Sequence, residues 1–272
     1  MLSVSSASRG RPMHYRLVEP TNFTDTHLSF IAQFARNVEL ISSCSGAIVG
    51  AQDIHSCHLA ASDPYGLLVG LSCGKDAAGL MDRDLPCVEI ARFADCYVRE
   101  DGRLLERSHV GAIQIVLNIH QYATGPKALV FDKFLLKHHP TQCVLGIAYS
   151  AYETNPARFT TLFPDYWSQF GFGCSIERVE QPAIDGLGAL SPLEHEVAFL
   201  LAVGFDAEAI AHFLPRVRPG PGIHIDAALF SIADKACAAG ISMTHLRDCL
   251  IQAYVHQRMP KSFFARVVGL HS

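Results

Sequence analysis

Positive charge is scarce in this 272-residue sequence: 22 Lys and Arg stand against 26 Asp and Glu, and charged residues make up only 18% of the chain. A protein that holds nucleic acid by bulk charge needs a basic surplus, so any footprint on phosphates must come from local clustering. The sequence also lacks an apolar run near the roughly 18 to 20 residues that span a bilayer, and its N-terminus lacks a secretory core of leucines. The expectation is a soluble, cytoplasmic protein with no membrane partner. There is no CxxC pair among nine singly scattered cysteines, which is the usage of a reducing compartment. Buried thiols are the plain reading; Cys44, Cys57 and Cys73 are the candidates for a redox-sensitive pair. His55, Cys57 and His58 lie close together and His138 adjoins His139, but neither group has closed four-ligand spacing, so no metal site is expected.

What is present is ample apolar material, 49% of residues, enough for packed cores in two domains at this length. The most informative stretch runs from Leu190 to Lys235. Ser191 with Glu194 forms a capping box that starts a helix, along which Leu193, Val197, Leu200 and Leu201 fall on one face until Gly204. Asp206 caps a second helix striped by Ala209, Ile210, Phe213 and Leu214, with Pro215 expected to stop it. Two short amphipathic helices joined at a glycine and followed by a third, which Asp226 is expected to cap, describe a helix-turn-helix.

In its order Leu-Ser-Pro-x-Glu-x-Glu-Val, Leu-Leu-Ala-x-Gly, Ala-Ile-Ala-x-x-Leu, this stretch resembles the opening half of a LuxR-type DNA-binding domain. Ile232 to Ile241 is similar to the end of that family's recognition helix with its lysine, and Leu246 to Tyr254 to its fourth helix. The resemblance implies promoter DNA as a partner and binding as a homodimer, with interface helices near Phe34, Ile251 and Tyr254. The chain departs from the family between Leu214 and Asp226, where Pro215, Pro219, Gly220, Pro221 and Gly222 enlarge the turn. The third helix offers few donors to base edges, and seven basic residues from 190 onward are matched by seven acidic ones. DNA contacts are therefore expected from Arg216, Arg218, Lys235 and Lys261, chiefly to phosphates.

Upstream, residues 1–22 carry Arg9, Arg11 and Arg16 with little acid and read as a flexible tail. From Asp25, the spacing of Leu28, Ile31, Phe34 or Ala35, Val38 and Ile41 predicts an entry helix, followed by a short strand at GAIVGAQD and a second strand or a loop at HSCHLAASD. VEIARFADCYV reads as a strand ending in a turn at Glu100 to Arg103; HVGAIQIVLNIHQY, KALVFDKFLLK and CVLGIAYSAY read as further strands, the last two a hairpin. This α+β arrangement, an antiparallel sheet with flanking helices, resembles the PAS fold, particularly in Phe-Asp-Lys-Phe-Leu-Leu, a turn, then Val-Leu-Gly-Ile-Ala-Tyr.

A PAS-like sensor followed by an all-α LuxR-type domain resembles VqmA-type quorum-sensing receptors. That resemblance implies a small heteroaromatic autoinducer such as 3,5-dimethylpyrazin-2-ol as ligand, with no other cofactor, and an aromatic and a lysine on one strand facing it. Phe131 and Lys133 are those residues by alternation, or else plain core and a solvated charge; Phe93, Tyr97, Ile147 and Tyr149 are candidates for the same wall. The expected domains are a sensor over 23–180, a Pro- and Gly-containing linker over 181–189, and the helix-turn-helix domain over 190–272. An interaction protein that keeps a regulator's dimer surface without binding DNA is the alternative. A hydrolase using Ser72 in Gly70-Leu71-Ser72-Cys73-Gly74 is a remote one, because too few strand and helix units precede that motif to build a nucleophile elbow. No catalytic residue is therefore expected.

Overall fold

The computed structural model describes residues 15–107, 113–171, 173, 175–180, 183–184, 187–217 and 224–268. They divide into two compact units, Met1–Gln114 with Asp132–Ala151, and Ile115–Phe131 with Tyr152–Ser272.

The first unit opens with β1 (Arg16–Leu17) and α1 (Asp25–Ser45), then β2 (Ile48–Asp53) and β3 (His58–Ala61). Next come α2 (Asp63–Leu68) and α3 (Val88–Glu106). The strands β4 (Ile113–Tyr122), β5 (Gly125–His138) and β6 (Cys143–Thr154) follow, and each is divided between the units. The strand order in this unit is β3-β2-β6-β5, with β2 antiparallel to β6 and β1 parallel to the start of β6. Because Arg16 and Leu17 pair with Cys143 and Val144 and Val18 is buried, the expected loose tail is tied down over these residues. The α1 helix begins at a Thr24 capping box and ends at Gly46, whose φ of +65° suits a residue without a Cβ. Its Phe30, Ile31 and Phe34 pack on Leu136, Leu145 and Ala148. Gly146 lies so close to β2 that a Cβ there would stand 1.9 Å from the Gln52 carbonyl oxygen.

The expected strand and turn over 88–103 are instead the α3 helix. Val, Ile, Phe and Tyr suit a pleated surface, but the buried residues Ile90, Ala94, Tyr97, Asp101 and Leu104 recur every three or four positions, and one-sided burial decides. Gly102 lies within this helix, and nothing stands within 4 Å of where its Cβ would be.

In the second unit the strand order is β10-β7-β4-β5, from β7 (Ser175–Val179), antiparallel to β4, and β10 (Arg258–Pro260), parallel to β7. Around these lie α4 (Pro156–Leu162), α5 (Tyr166–Phe170), α6 (Pro192–Ala202), α7 (Ala207–Val217), α8 (Ile225–Ala238), α9 (Leu246–Gln252) and α10 (Lys261–Val268). One sheet face, with Leu117, Ile119, Ala128, Val130 and Ile176, shares a continuous core with Phe159, Phe163, Phe199, Phe263 and Ile232. The expected boundary at 181–189 is therefore not a free linker. Its described residues form a two-strand turn, β8 (Ala183–Ile184) with β9 (Gly188–Ala189), and Ile184 and Leu187 are buried in the same core.

Candidate functional site

The first unit concentrates buried charge around Lys133. Alternation on β5 turns Leu135 and Lys133 to the side where Leu104 and Leu105 of α3 pack, and the ammonium meets consecutive acids of that helix. Lys133 Nζ donates to Asp101 Oδ1 at 2.8 Å and to Glu100 Oε2 at 3.3 Å, and Ser56 Oγ donates to Asp101 Oδ2 at 2.8 Å. Lys133 is 6% exposed, and both acids are buried. Burial alone would lower the lysine pKa, but the charges of Asp101 and Glu100 and the hydrogen bond to Asp101 outweigh it and push it up. Lys133 is therefore a permanently charged, fixed donor with two of its three protons committed.

A second buried cluster lies in the same unit. His58 Nε2 is 3.1 Å from Asp82 Oδ1; Gln52 Nε2 donates to Asp82 Oδ2 at 3.3 Å, and the Tyr65 hydroxyl donates to Oδ1 at 3.3 Å. Burial raises the Asp82 pKa, yet the His58 hydrogen bond and charge, Lys133 and Gln52 together bring it below the usual value. The Tyr65 and Tyr149 hydroxyls are held neutral, first by burial and then by the Asp82 charge. Their rings pack at 5.4 Å.

Of the residues expected to form the ligand wall, Tyr97, Ile147 and Tyr149 are buried in this unit. Phe93 is partly buried, with the Arg92 guanidinium 5.4 Å from its ring centre. Phe93 and Tyr97 stand on α3, not on a strand. Phe131 is buried on the same strand as Lys133 but belongs to the second unit. Glu100 and Asp101 were missed because their segment reads as a turn; their place three and four residues on from Tyr97, on a buried helical stripe, was the available signal. Among the described residues no group of three metal-ligating side chains converges and the cysteines are free thiols, Cys44, Cys57 and Cys73 included. Ser72 is exposed in a turn after helix α2, not at a strand end, so the elbow context is absent.

The second unit carries the helix pair expected at 191–217. The Ser191 capping box is present, with Glu194 Oε2 accepting from the Ser191 amide at 2.6 Å, and Asp206 Oδ1 accepts from the Ala209 amide at 2.8 Å. Gly204 takes φ +99° between the two helices. Pro215 does not stop α7 but sits in its last turn, with only Arg216 and Val217 following it in the helix. The third helix starts one residue earlier than expected, with His224 in the cap position and Asp226 in the first turn. Glu194 also fixes α8 to α6: it accepts from Lys235 Nζ at 2.8 Å and from the Ser231 hydroxyl. Burial opposes its ionisation, but the bonds from Lys235, Ser231 and Ser191 lower its pKa to about 2.

Lys235, expected to contact DNA, is thus committed to an ion pair. Arg216 is exposed beside His212, Lys261 is exposed 3.1 Å from Glu180, and Arg218 lies outside the described residues. The outward side of α8 carries Asp226, Ala227, Phe230 and Asp234, with Phe230 75% exposed.

No family model matches the sequence, and no curated protein matches it. Among solved structures the chain is similar to the VqmA dimer of Vibrio cholerae in the absence of target DNA, at 23% identity over 87% of this chain and 92% of that one, with a TM-score of 0.40. It is similar to a phage VqmA in complex with DPO at 23% identity over 88% and 96%, with a TM-score of 0.42. A Vibrio VqmA–ligand–DNA complex matches at 21% identity over 90% and 93%, with a TM-score of 0.38. These likenesses are remote, and the functional reading rests on the side chains described above.

Proposed function

We propose that this chain is a cytoplasmic, ligand-responsive transcription regulator: the first unit binds a small molecule beside Lys133, and the α6 to α8 helices act as a DNA-binding helix-turn-helix. The observation that carries the reading is the buried ionic cluster of Lys133, Glu100 and Asp101, three charges held in a small domain at a cost in solvation that a packed apolar core would avoid. Such clusters serve recognition more readily than stability. The capped helix pair around Gly204 supports the second half of the reading. No described helix is long and apolar enough to cross a membrane.

With Lys235 paired and α8 poor in donors, DNA affinity rests on phosphate contacts from Arg216, Arg218 and Lys261. A homodimer would place two such surfaces on one duplex; Leu28, Leu40 and Ile41 on α1 and Tyr254 are exposed apolar groups suited to its interface. The test is fluorescence anisotropy of the full chain with duplex DNA over a salt series. Each lost phosphate contact should flatten the slope of log affinity against log salt by about 0.9, so Arg216→Ala with Arg218→Ala should lose up to nearly two units. Absence of binding at low salt would sink the regulator and favour the second reading, a protein-interaction module. One observation supports that alternative: the outward face of α8 presents Phe230 between Asp226 and Asp234, which suits a protein partner better than phosphates.

A further inference from the structure

In the first unit, histidines gather where the first turn of α1 meets the turn between β5 and β6. His27 and His138 are both buried, and their rings stand edge to face 5.1 Å apart. One hydroxyl joins them: Thr141 Oγ1 is 2.9 Å from His27 Nε2 and 2.7 Å from His138 Nδ1. The direction of this chain is fixed at its start. The Thr24 amide, which can only donate, bonds to His27 Nδ1 at 3.3 Å, so the proton of a neutral His27 lies on Nε2 and is given to Thr141. The hydroxyl in turn gives its own proton to His138 Nδ1, which must be bare to accept it.

A proton on His138 Nδ1 breaks this arrangement. Thr141 Oγ1 would then face a donor on each side, and its own proton would lose its acceptor. The imidazolium would also stand beside the first turn of α1, whose free amides carry partial positive charge, and against the Phe30 ring. The other cations at this corner are Lys137, which lies over the Tyr15 ring, and Arg16 on β1, while His139 is bonded to the Tyr15 hydroxyl. The acids are Asp25 in the first turn of α1 and Glu19, which pairs with His55; among the described residues no acid bonds to His27 or His138. We propose that His138 is a pH sensor: neutral, it completes the hydrogen-bond chain that holds the first turn of α1 to the β5–β6 turn, and protonated, it releases that end of the helix. Burial, then His27 and His139, lower its pKa from the ordinary 6.5. The held form is therefore favoured above about 6.5 and loses ground as pH falls below it. Leu28, exposed on the same turn among the apolar groups suited to a homodimer interface, would move with it. The inference is independent of the ligand and DNA readings.

The test is peptide-resolved hydrogen exchange of the full chain at pH 7 and pH 5.5, corrected for the intrinsic pH dependence of exchange and read over residues 24–31. A released His138 with an ordinary pKa favours opening by up to about eightfold across this interval. Opening at 24–31 should therefore rise at least about threefold, while residues 145–149 in the middle of β6 stay unchanged. His138→Asn keeps an acceptor oxygen where Nδ1 stood and takes up no proton, so it should match wild type at pH 7 and show no rise at pH 5.5. No rise in wild type, an equal rise in the variant, or a rise shared by 145–149 overturns the inference. Should the variant be open already at pH 7, ring titrations followed by NMR in wild type and Thr141→Val decide the matter. His138 should titrate below 6.5 in wild type and closer to 6.5 in Thr141→Val, which lacks the hydroxyl donor; a His138 titration that this substitution leaves unmoved overturns the assignment.

Discussion

Replacing Lys133 by Met removes the cation that bonds both Glu100 and Asp101, while keeping most of the lysine's length and apolar stem. The acids are both buried, and Ser56 remains as a donor to Asp101. Breaking a buried pair from one side costs about 3 to 5 kcal/mol, because the remaining charge stays in a poor solvent. Removing all three charges together is different: Lys133→Met with Glu100→Gln and Asp101→Asn takes away both the attraction and the desolvation, and should recover most of the deficit. Urea midpoints at pH 7 for wild type, the single variant and the triple variant measure both effects. A single variant within about 1 kcal/mol of wild type, or a triple variant as unstable as the single, would refute the view that these charges depend on one another.

Acid should destabilise the second unit through histidines. Burial holds His120, His195 and His256 neutral, with pKa values lowered from 6.5 to about 4. The unfolded chain takes up these protons as pH falls below about 6.5 and the folded one does not, so each contributes a loss of up to about 3 kcal/mol by pH 4, visible as a falling melting temperature. Glu194 works over a lower window: with its folded pKa near 2, its contribution is complete above about 4.5 and vanishes as pH falls through 2, so Glu194→Gln should cost stability at pH 7 and little at pH 2. Two glycines should respond oppositely to alanine, measured by the same melts. Gly102→Ala should stabilise α3 by about 0.5 to 1 kcal/mol, whereas Gly146→Ala drives a methyl into the Gln52 carbonyl and should be strongly destabilising.

The capped helix pair was legible in the sequence because its signals are local: Ser191, Glu194, Gly204 and Asp206 each act within a few residues. The strands β4 to β6 and the entry helix were legible for the same reason. Segment 88–106 was misread because its residue types favour a strand while its burial pattern favours a helix, and that error hid Glu100 and Asp101. Lys133 was expected, but not its acidic partners, whose bonds span more than 30 residues and follow only from the packing of β5 on α3. The reach of the second core was illegible too, since Leu117 and Ile184 join α6 and α10 through contacts distant in sequence.

The central claim, a small molecule held beside Lys133, is tested most directly by native mass spectrometry of the full chain as purified from its host cells, followed by denaturation to release whatever is bound. The expected result is a wild-type protein heavier than its sequence by one small molecule, which is shed on denaturation and absent from folded Lys133→Met. Wild-type protein found only at the bare mass of its chain, or a folded Lys133→Met protein that carries the same molecule at the same occupancy, would contradict it.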